Sequence, residues 1–323
     1  MKIVGTGVSL PPKVLTNDDL ARMVDTSDRW ITERTGIKER RVAADDVATS
    51  DLCAEALERA CSDAGLGPAD LDAIIVGTST ADTLFPSTAC WVQHKLGLRG
   101  PAAFDVSAGC SGFLYGLELA SALIVAGSAA RVGVVGGETM SKVVDWKDRS
   151  TCVLFGDGAG AAVVTASTGD TGVLASTWGA DGNLAPILYQ PAGGSRRPAT
   201  HATVDERAHT VHMEGRTVFK HAVLAMAEAA ATAMSTAGIT ADDVDLFIPH
   251  QANVRIMEVA RQRVGVPPEK MMVVLDRYGN MSAATIPVAL HEARAAGRLH
   301  DGSVVVMSAF GTGLTWAGTV LRW

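Results

Sequence analysis

Apolar residues along this chain fall in short runs rather than in heptads or one long span. Ala73 to Val76, Ala102 to Val106, Val132 to Val135, Ala159 to Val164, Leu246 to Ile248 and Val304 to Met307 are all of this kind. Short apolar runs bounded by glycine, proline or polar turns read as buried strands, and the longer amphipathic stretches between them read as helices. Alternation of the two predicts an α/β fold. Two of the helical stretches stop in the same way. One runs from Glu55 to Ala64 and meets Gly65; the other runs from Glu228 to Ala237 and meets Gly238. Glycine just past the last helical residue is the usual stop signal.

Both stops lead through a short polar turn into an apolar strand, and Glu55 to Asp72 aligns without a gap on Glu228 to Asp245. The turn and helix after Cys110 correspond to those after Asn280, and Val132 to Val135 corresponds to Val304 to Met307. Two copies of a strand-helix unit predict two similar halves packed together. The boundary is placed between Ala166 and Gly172, giving halves of residues 1-168 and 169-323. Tyr189 to Arg207 is rich in Pro, Gly, Arg and Thr and reads as an exposed loop.

Length and composition narrow the class. The 323 residues suit one large α/β domain or two half-size ones, and 47% hydrophobic with 20% charged residues is the balance of a compact soluble protein. A net charge of −7 argues against a nucleic-acid partner, since phosphate binding needs a concentrated basic face. No apolar run approaches the roughly 20 residues of a membrane span. Gly5 and Gly7 come too early for a signal peptide. The five cysteines have neither a disulfide framework nor metal-type spacing, so the expectation is a reduced, cytoplasmic protein without structural disulfides, metal or other cofactor.

The candidate chemistry lies at three turns. Asp105-Val-Ser-Ala-Gly-Cys110-Ser-Gly places a cysteine where a strand gives way to a helix, among small neighbours that leave its sulfur accessible. The helix dipole and free N–H groups of such a turn favour a thiolate; the bland alternative is a small buried hydrophobe. His250 follows directly on Phe247-Ile-Pro, and Asn280 stands in Tyr278-Gly-Asn-Met-Ser-Ala-Ala, another small-residue turn before a helix. A cysteine nucleophile needs a partner for its thiolate and donors for charge that develops on the substrate. Cysteine, histidine and asparagine supply that set.

In these motifs the chain resembles the β-ketoacyl-acyl carrier protein synthase III family of thiolase-fold condensing enzymes. The resemblance runs from Val4-Gly-Thr-Gly to Leu314-Thr-Trp-Ala-Gly and includes Asp25-Thr-Ser-Asp-Arg-Trp30-Ile, Arg34-Thr-Gly-Ile-Lys-Glu-Arg40, Phe155-Gly-Asp-Gly-Ala-Gly160 and Ala309-Phe-Gly-Thr-Gly313. It implies a layered α-β-α-β-α sandwich of two duplicated halves. It also implies a decarboxylative condensation of a short acyl-coenzyme A with malonyl-acyl carrier protein, the step that initiates type II fatty-acid synthesis. Cys110, His250 and Asn280 would be the catalytic residues, and the backbone N–H groups of Cys110 and Thr312 the oxyanion hole. Related enzymes often carry glycine where Thr312 stands.

By the same resemblance Thr26, Trp30, Arg34, Arg149 and Asn253 would meet coenzyme A, with Trp30 and Arg149 stacking on its adenine. Phe85, Met140, Phe155, Met213 and Phe310 would line the acyl pocket, Phe85 reaching across a homodimer interface. Lys220 and Arg255 would meet the acidic carrier protein. Each has a plainer reading: interface packing for Trp30, a buried anchor at a helix start for Phe85, core filling for Met140 and Met213, solvated charge for Lys220 and Arg255. Phe155-Gly-Asp-Gly-Ala-Gly160 lacks the Lys-Ser/Thr ending of a phosphate loop and reads as structural, with a strand after it. Two functional alternatives stand beside the leading one: a starter-unit ketosynthase or acyltransferase of specialised polyketide metabolism, and a cysteine hydrolase. A degradative thiolase would carry a second active cysteine late in the chain, and none follows Cys152.

Overall fold

The computed structural model describes residues 1–167 and 169–323; the predicted half boundary falls at residue 168, outside the described residues. Strands β1 (Lys2–Ser9), β2 (Ala73–Gly77), β3 (Ala102–Val106), β4 (Arg131–Thr139) and β5 (Asp157–Thr165) form one sheet in the order β1-β5-β4-β2-β3. Strands β6 (Gly172–Ala180), β7 (Leu246–Pro249), β8 (Val304–Gly311) and β9 (Thr315–Arg322) form a second in the order β6-β9-β8-β7. The two sheets share one plan. In each, the first three strands of that order pair antiparallel and the next pair is parallel, β4 with β2 and β8 with β7. A fifth strand in the second sheet is reduced to a single parallel bridge, Phe247 with Met271.

Helices α1 (Thr49–Asp63), α2 (Thr88–Lys95), α3 (Gly112–Val125), α4 (Gly215–Ala237), α5 (Val254–Val264) and α6 (Thr285–Ala295) complete the layers. Side-chain alternation along the strands decides which faces they meet. Ile75 and Val134 point to the middle of the molecule with Ile248 and Met307 of the other sheet, and there Phe113, Leu114 and Leu117 of α3 pack with Ile286, Val288 and Leu290 of α6. Ile74, Val76 and Val135 point outward and are covered by Leu52 and Leu57 of α1. Phe247, Val306 and Val320 are covered by Ala230 and Ala233 of α4. The result is the α-β-α-β-α sandwich. Each buried side chain of this size contributes roughly 1.5–3 kcal/mol, and the middle layer, pressed from both sides, has the least freedom to move.

Helix ends follow the sequence signals. The Asp51 carboxylate accepts the Ala48 N–H at the start of α1, and the left-handed Gly65 and Gly238 end the two duplicated helices at φ +69° each. One part of the predicted exposed loop is otherwise: it holds a short helix, His201–Asp205, capped by Thr200, with Ala192, Thr203 and Ala208 buried. The rest of the stretch is largely exposed as expected, with Gly194, Ser195, Pro198, Ala199 and Ala202 open to solvent. No described helix is long and apolar enough to cross a membrane.

At Gly136 on β4 the first sheet touches the loop after Asn280. A Cβ there would stand 2.1 Å from the Ala283 carbonyl oxygen, so the halves meet backbone to backbone. Gly136→Ala should destabilise the protein by about 1–3 kcal/mol through overpacking, read as a lower urea midpoint at unchanged slope; a midpoint equal to wild type would mean that the loop yields without cost.

Candidate active site

Cys110 stands in a single tight turn, Gly109–Ser111, between the end of β3 and the first residue of α3. Gly109 makes the turn possible. Its φ is +53°, and a Cβ on it would lie 2.5 Å from the backbone nitrogen of Thr312. That contact sets the Cys110 turn against the loop after β8, so the amides of Cys110 and Thr312 belong to one wall. The Thr312 hydroxyl is tied back to the Leu188 carbonyl, which holds the loop in place.

His250 and Asn280 arrive from the second half. His250 caps the end of β7, its N–H donating to the Ser308 carbonyl on β8 at 2.7 Å. The next residue, Gln251, is fully buried and stitches the turn: its Nε2 donates to Pro249 O at 2.7 Å and its Oε1 accepts from Val274 N at 2.9 Å. The His250 ring is held by Thr285, Nδ1 to Oγ1 at 2.6 Å, and Thr285 Oγ1 donates to the Ser282 carbonyl at 3.0 Å. That hydroxyl has one proton: kept on the Ser282 carbonyl it accepts Nδ1–H and leaves Nε2 a base, and turned to Nδ1 it leaves the N–H on Nε2. Asn280 is buried, with its Oδ1 accepting the Ser282 N–H at 2.8 Å. Its NH₂ group is left for other partners.

Cys110, His250 and Asn280 share one otherwise apolar cavity of about 240 Å³, walled by Phe155, Met213 and Phe310 and reaching Asn253. A second cavity of about 210 Å³ also opens on Cys110; Met140, Phe155 and Thr312 line it. Burial dominates the electrostatics of both spaces. It pushes the Cys110 thiol up to about 12, against the hydrogen bonds from Ser282 and from its own backbone and with the Glu138 charge adding to it. It pulls His250 down to about 3. The expected resting thiolate is therefore corrected. Desolvation outweighs the helix dipole, and the unliganded site pairs a neutral thiol with a neutral imidazole.

The remaining predicted positions spread outward from the cavity. Trp30 stands between two guanidinium groups, Arg34 at 4.6 Å and Arg149 at 4.9 Å from its ring centre. Arg149 is also held by Asp25 O at 2.5 Å. The Oγ1 of Thr26 is buried without a partner. Asn253 begins α5, accepting Arg255 N at 2.9 Å and donating to Arg34 O at 3.1 Å, so it joins the Trp30 segment to the cavity mouth. Lys220 and Arg255 are exposed. Phe85 is 85% exposed and lines neither cavity of its own chain, so the plain reading as a buried anchor fails.

Two family models match, 3-oxoacyl-[acyl-carrier-protein] synthase III over residues 104–182 and its C-terminal counterpart over residues 234–323. The β-ketoacyl-[acyl-carrier-protein] synthase III of Caldanaerobacter subterraneus subsp. tengcongensis is 54% identical over 321 residues, 99% of this chain and 97% of that one. The chain belongs to the β-ketoacyl-acyl carrier protein synthase III family. The crystal structure of 3-oxoacyl-[acyl-carrier-protein] synthase III from Aquifex aeolicus VF5 superposes with a TM-score of 0.92 at 46% identity, covering 100% of this chain and 99% of that one. The priming β-ketosynthase of the R1128 polyketide pathway superposes at 0.90 with 34% identity, covering 99% and 95%. Like the rest of the synthase III family, this chain is a condensing acyltransferase of the kind that initiates fatty-acid synthesis. The polyketide alternative is the less favoured, since its relative stands further off.

Three residues of this synthase site escaped the sequence reading: Glu138, Ser282 and Thr285. Glu138 is fully buried at the end of β4. It accepts from Thr80 Oγ1 at 2.5 Å and from Ser79 N at 3.0 Å, and burial raises its pKa. A single acid closing an apolar strand was the available signal.

The depressed His250 has a consequence for acid stability. An imidazole that stays neutral in the fold but charges in the unfolded chain gives full stability above about pH 6.5, lost progressively as pH falls toward 3. Between pH 6.5 and 5 this residue alone should cost about 2 kcal/mol. Urea unfolding at the two pH values should show a His250→Gln variant less acid-sensitive by that amount; equal sensitivity would mean that His250 charges within the fold.

Proposed function

We propose that the chain condenses a short acyl-coenzyme A with malonyl-acyl carrier protein, with Cys110 as nucleophile and His250 and Asn280 as the donors of the second half-reaction. The observation that carries this is the convergence of those three groups, from both halves, on one apolar cavity. In the first step Cys110 Sγ attacks the acyl carbonyl, the bond from that carbon to the coenzyme A sulfur breaks, and the thiol proton passes by way of His250 Nε2 to the departing sulfur. The backbone N–H groups of Cys110 and Thr312 are the fitting donors for the oxyanion. In the second, the malonyl group loses carbon dioxide. The electron pair left behind spreads onto the thioester oxygen, where His250 and Asn280 donate. The resulting carbanion attacks the acyl-cysteine, and the sulfur leaves and takes up a proton.

A neutral site suits this sequence. An imidazole near pKa 3 offers an N–H without bringing a full charge into an apolar cavity, and the developing enolate is then the only new charge to be stabilised. The Trp30, Arg34 and Arg149 stack, joined through Asn253 to the cavity mouth, supports the reading of that face as the coenzyme A side. Lys220 and Arg255, exposed near the mouth, support carrier-protein docking.

The homodimer belongs to the same proposal. Strand β3 has a free edge, and Leu84 and Phe85 stand 81% and 85% exposed on the loop before α2. Apolar side chains this exposed favour a second copy as their partner, with Phe85 entering the partner's acyl pocket.

Intact-protein mass after incubation with acetyl-coenzyme A should rise by one acyl group in wild type and in His250→Ala and Asn280→Ala, but not in Cys110→Ala. Condensation should fall about 10²–10³-fold in each of the two donor variants. Acylated Cys110→Ala, or donor variants condensing at wild-type rate, would overturn the assignment.

Phe85→Ala should move acyl preference toward longer or branched chains across an acyl-coenzyme A panel while leaving acetyl transfer to Cys110 intact. An unchanged profile, or a monomer in light scattering at micromolar concentration, would count against the crossing role.

A further inference from the structure

Ser282 follows Asn280 by two positions and carries a backbone φ of +46°, a conformation that residues other than glycine rarely hold and that costs energy to maintain. Every polar group it has goes to the site. Its N–H fixes Asn280 Oδ1 at 2.8 Å. Its carbonyl fixes Thr285 Oγ1 at 3.0 Å, and that hydroxyl meets His250 Nδ1 at 2.6 Å. Its side chain stands beside Cys110 in the wall of the second cavity. One residue thus reaches all three members of the set, directly or through a single hydroxyl.

The left-handed backbone explains how this is possible. It turns the N–H back toward Asn280 and the carbonyl on toward Thr285, so the two donors from the second half are aimed by adjacent peptide groups. Strain at a residue with a real side chain persists where the surroundings over-determine it, and here the side chain is itself engaged. We propose that Ser282 is the positioning residue of this site, its backbone aiming Asn280 and, through Thr285, His250, while its hydroxyl donates to the Cys110 sulfur as the thiolate forms.

The hydroxyl has one proton and two claimants. Glu138 can do without it, because Thr80 Oγ1 at 2.5 Å and Ser79 N at 3.0 Å already serve that carboxylate. The titratable groups facing Cys110 are Glu138 on β4 and His250 after β7. Neither is a cation at rest, and with Asn280 Nδ2 and the His250 N–H assigned to the thioester oxygen, Ser282 is the side-chain donor that serves a sulfur becoming anionic.

This inference rests on Cys110 being the nucleophile, and the test keeps the two apart. Ser282→Gly removes the hydroxymethyl group while keeping the left-handed backbone and both backbone hydrogen bonds accessible, and Ser282→Ala removes the hydroxyl alone. In the full chain, alkylation of Cys110 by iodoacetamide is followed across an alkaline pH series from the mass of the Cys110 peptide. The log-rate profile should move toward alkali by about one pH unit, about tenfold slower at fixed pH, the effect of losing one hydrogen bond to a charged group. Ser282→Ala should shift it equally; a shift in the glycine variant alone would trace it to loosened backbone and overturn the hydroxyl's role, as would an unmoved profile in both. Thr285→Val should leave the alkylation profile in place and slow malonyl-acyl carrier protein decarboxylation at least tenfold, and decarboxylation at wild-type rate would overturn the backbone half. Should Cys110 not be the nucleophile, wild-type enzyme would itself take up no acyl group there, a result independent of every variant.

Discussion

Contact between the two halves with no side chain in between is the constraint on which this site depends. Gly136 lies against the Ala283 carbonyl and Gly109 against the Thr312 nitrogen, so peptide groups of one half form the wall behind catalytic groups of the other. A Cβ would stand 2.1 Å from that oxygen at Gly136 and 2.5 Å from that nitrogen at Gly109, so a side chain at either place forces the two loops apart. The middle helical layer holds this approach rigid, since α3 and α6 are compressed between both sheets and close-packed interiors transmit small displacements instead of absorbing them.

Such an approach leaves little water, and polarity inside is correspondingly rationed. Glu138 is the exception, a fully buried carboxylate with no cation among its hydrogen-bond partners. It is held instead by the Thr78 and Thr80 hydroxyls and the Ser79 N–H. Burial of an acid this way is costly unless every lone pair is met. The cost is offset by order: three consecutive residues of the loop after β2 are bound to one point at the end of β4. The site is thus neutral where substrate binds and polar only where the loops are tied.

The duplication was legible because glycine stops are read from sequence directly. Gly65 and Gly238 end equivalent helices, and strands 73–77 and 246–249 follow each. Cys110, His250 and Asn280 were legible because each closes an apolar run or a small-residue turn. Ser282 and Thr285 were not, since their importance lies in where a peptide N–H, a carbonyl and a hydroxyl point, and a serine among alanines looks the same whichever way the chain turns. The Cys110 ionisation was misjudged for a related reason. A helix start is visible in sequence, but the depth of the cavity over it is the sum of distant residues such as Phe155 and Phe310. Phe85 shows the reverse case, a residue whose single-chain surroundings say only that it is exposed.

The reduction of the second sheet's fifth strand to one bridge at Met271 changes how copies of this chain can meet. Had both halves kept a full strand there, each molecule would carry two adhesive sheet margins, and margins that pair with like margins can add molecules without end. As it is, β3 is a full edge strand and its counterpart in the second sheet is a single bridge, so the two halves offer unlike margins. Unlike margins on the two halves disfavour the open, end-to-end growth that two like margins would invite.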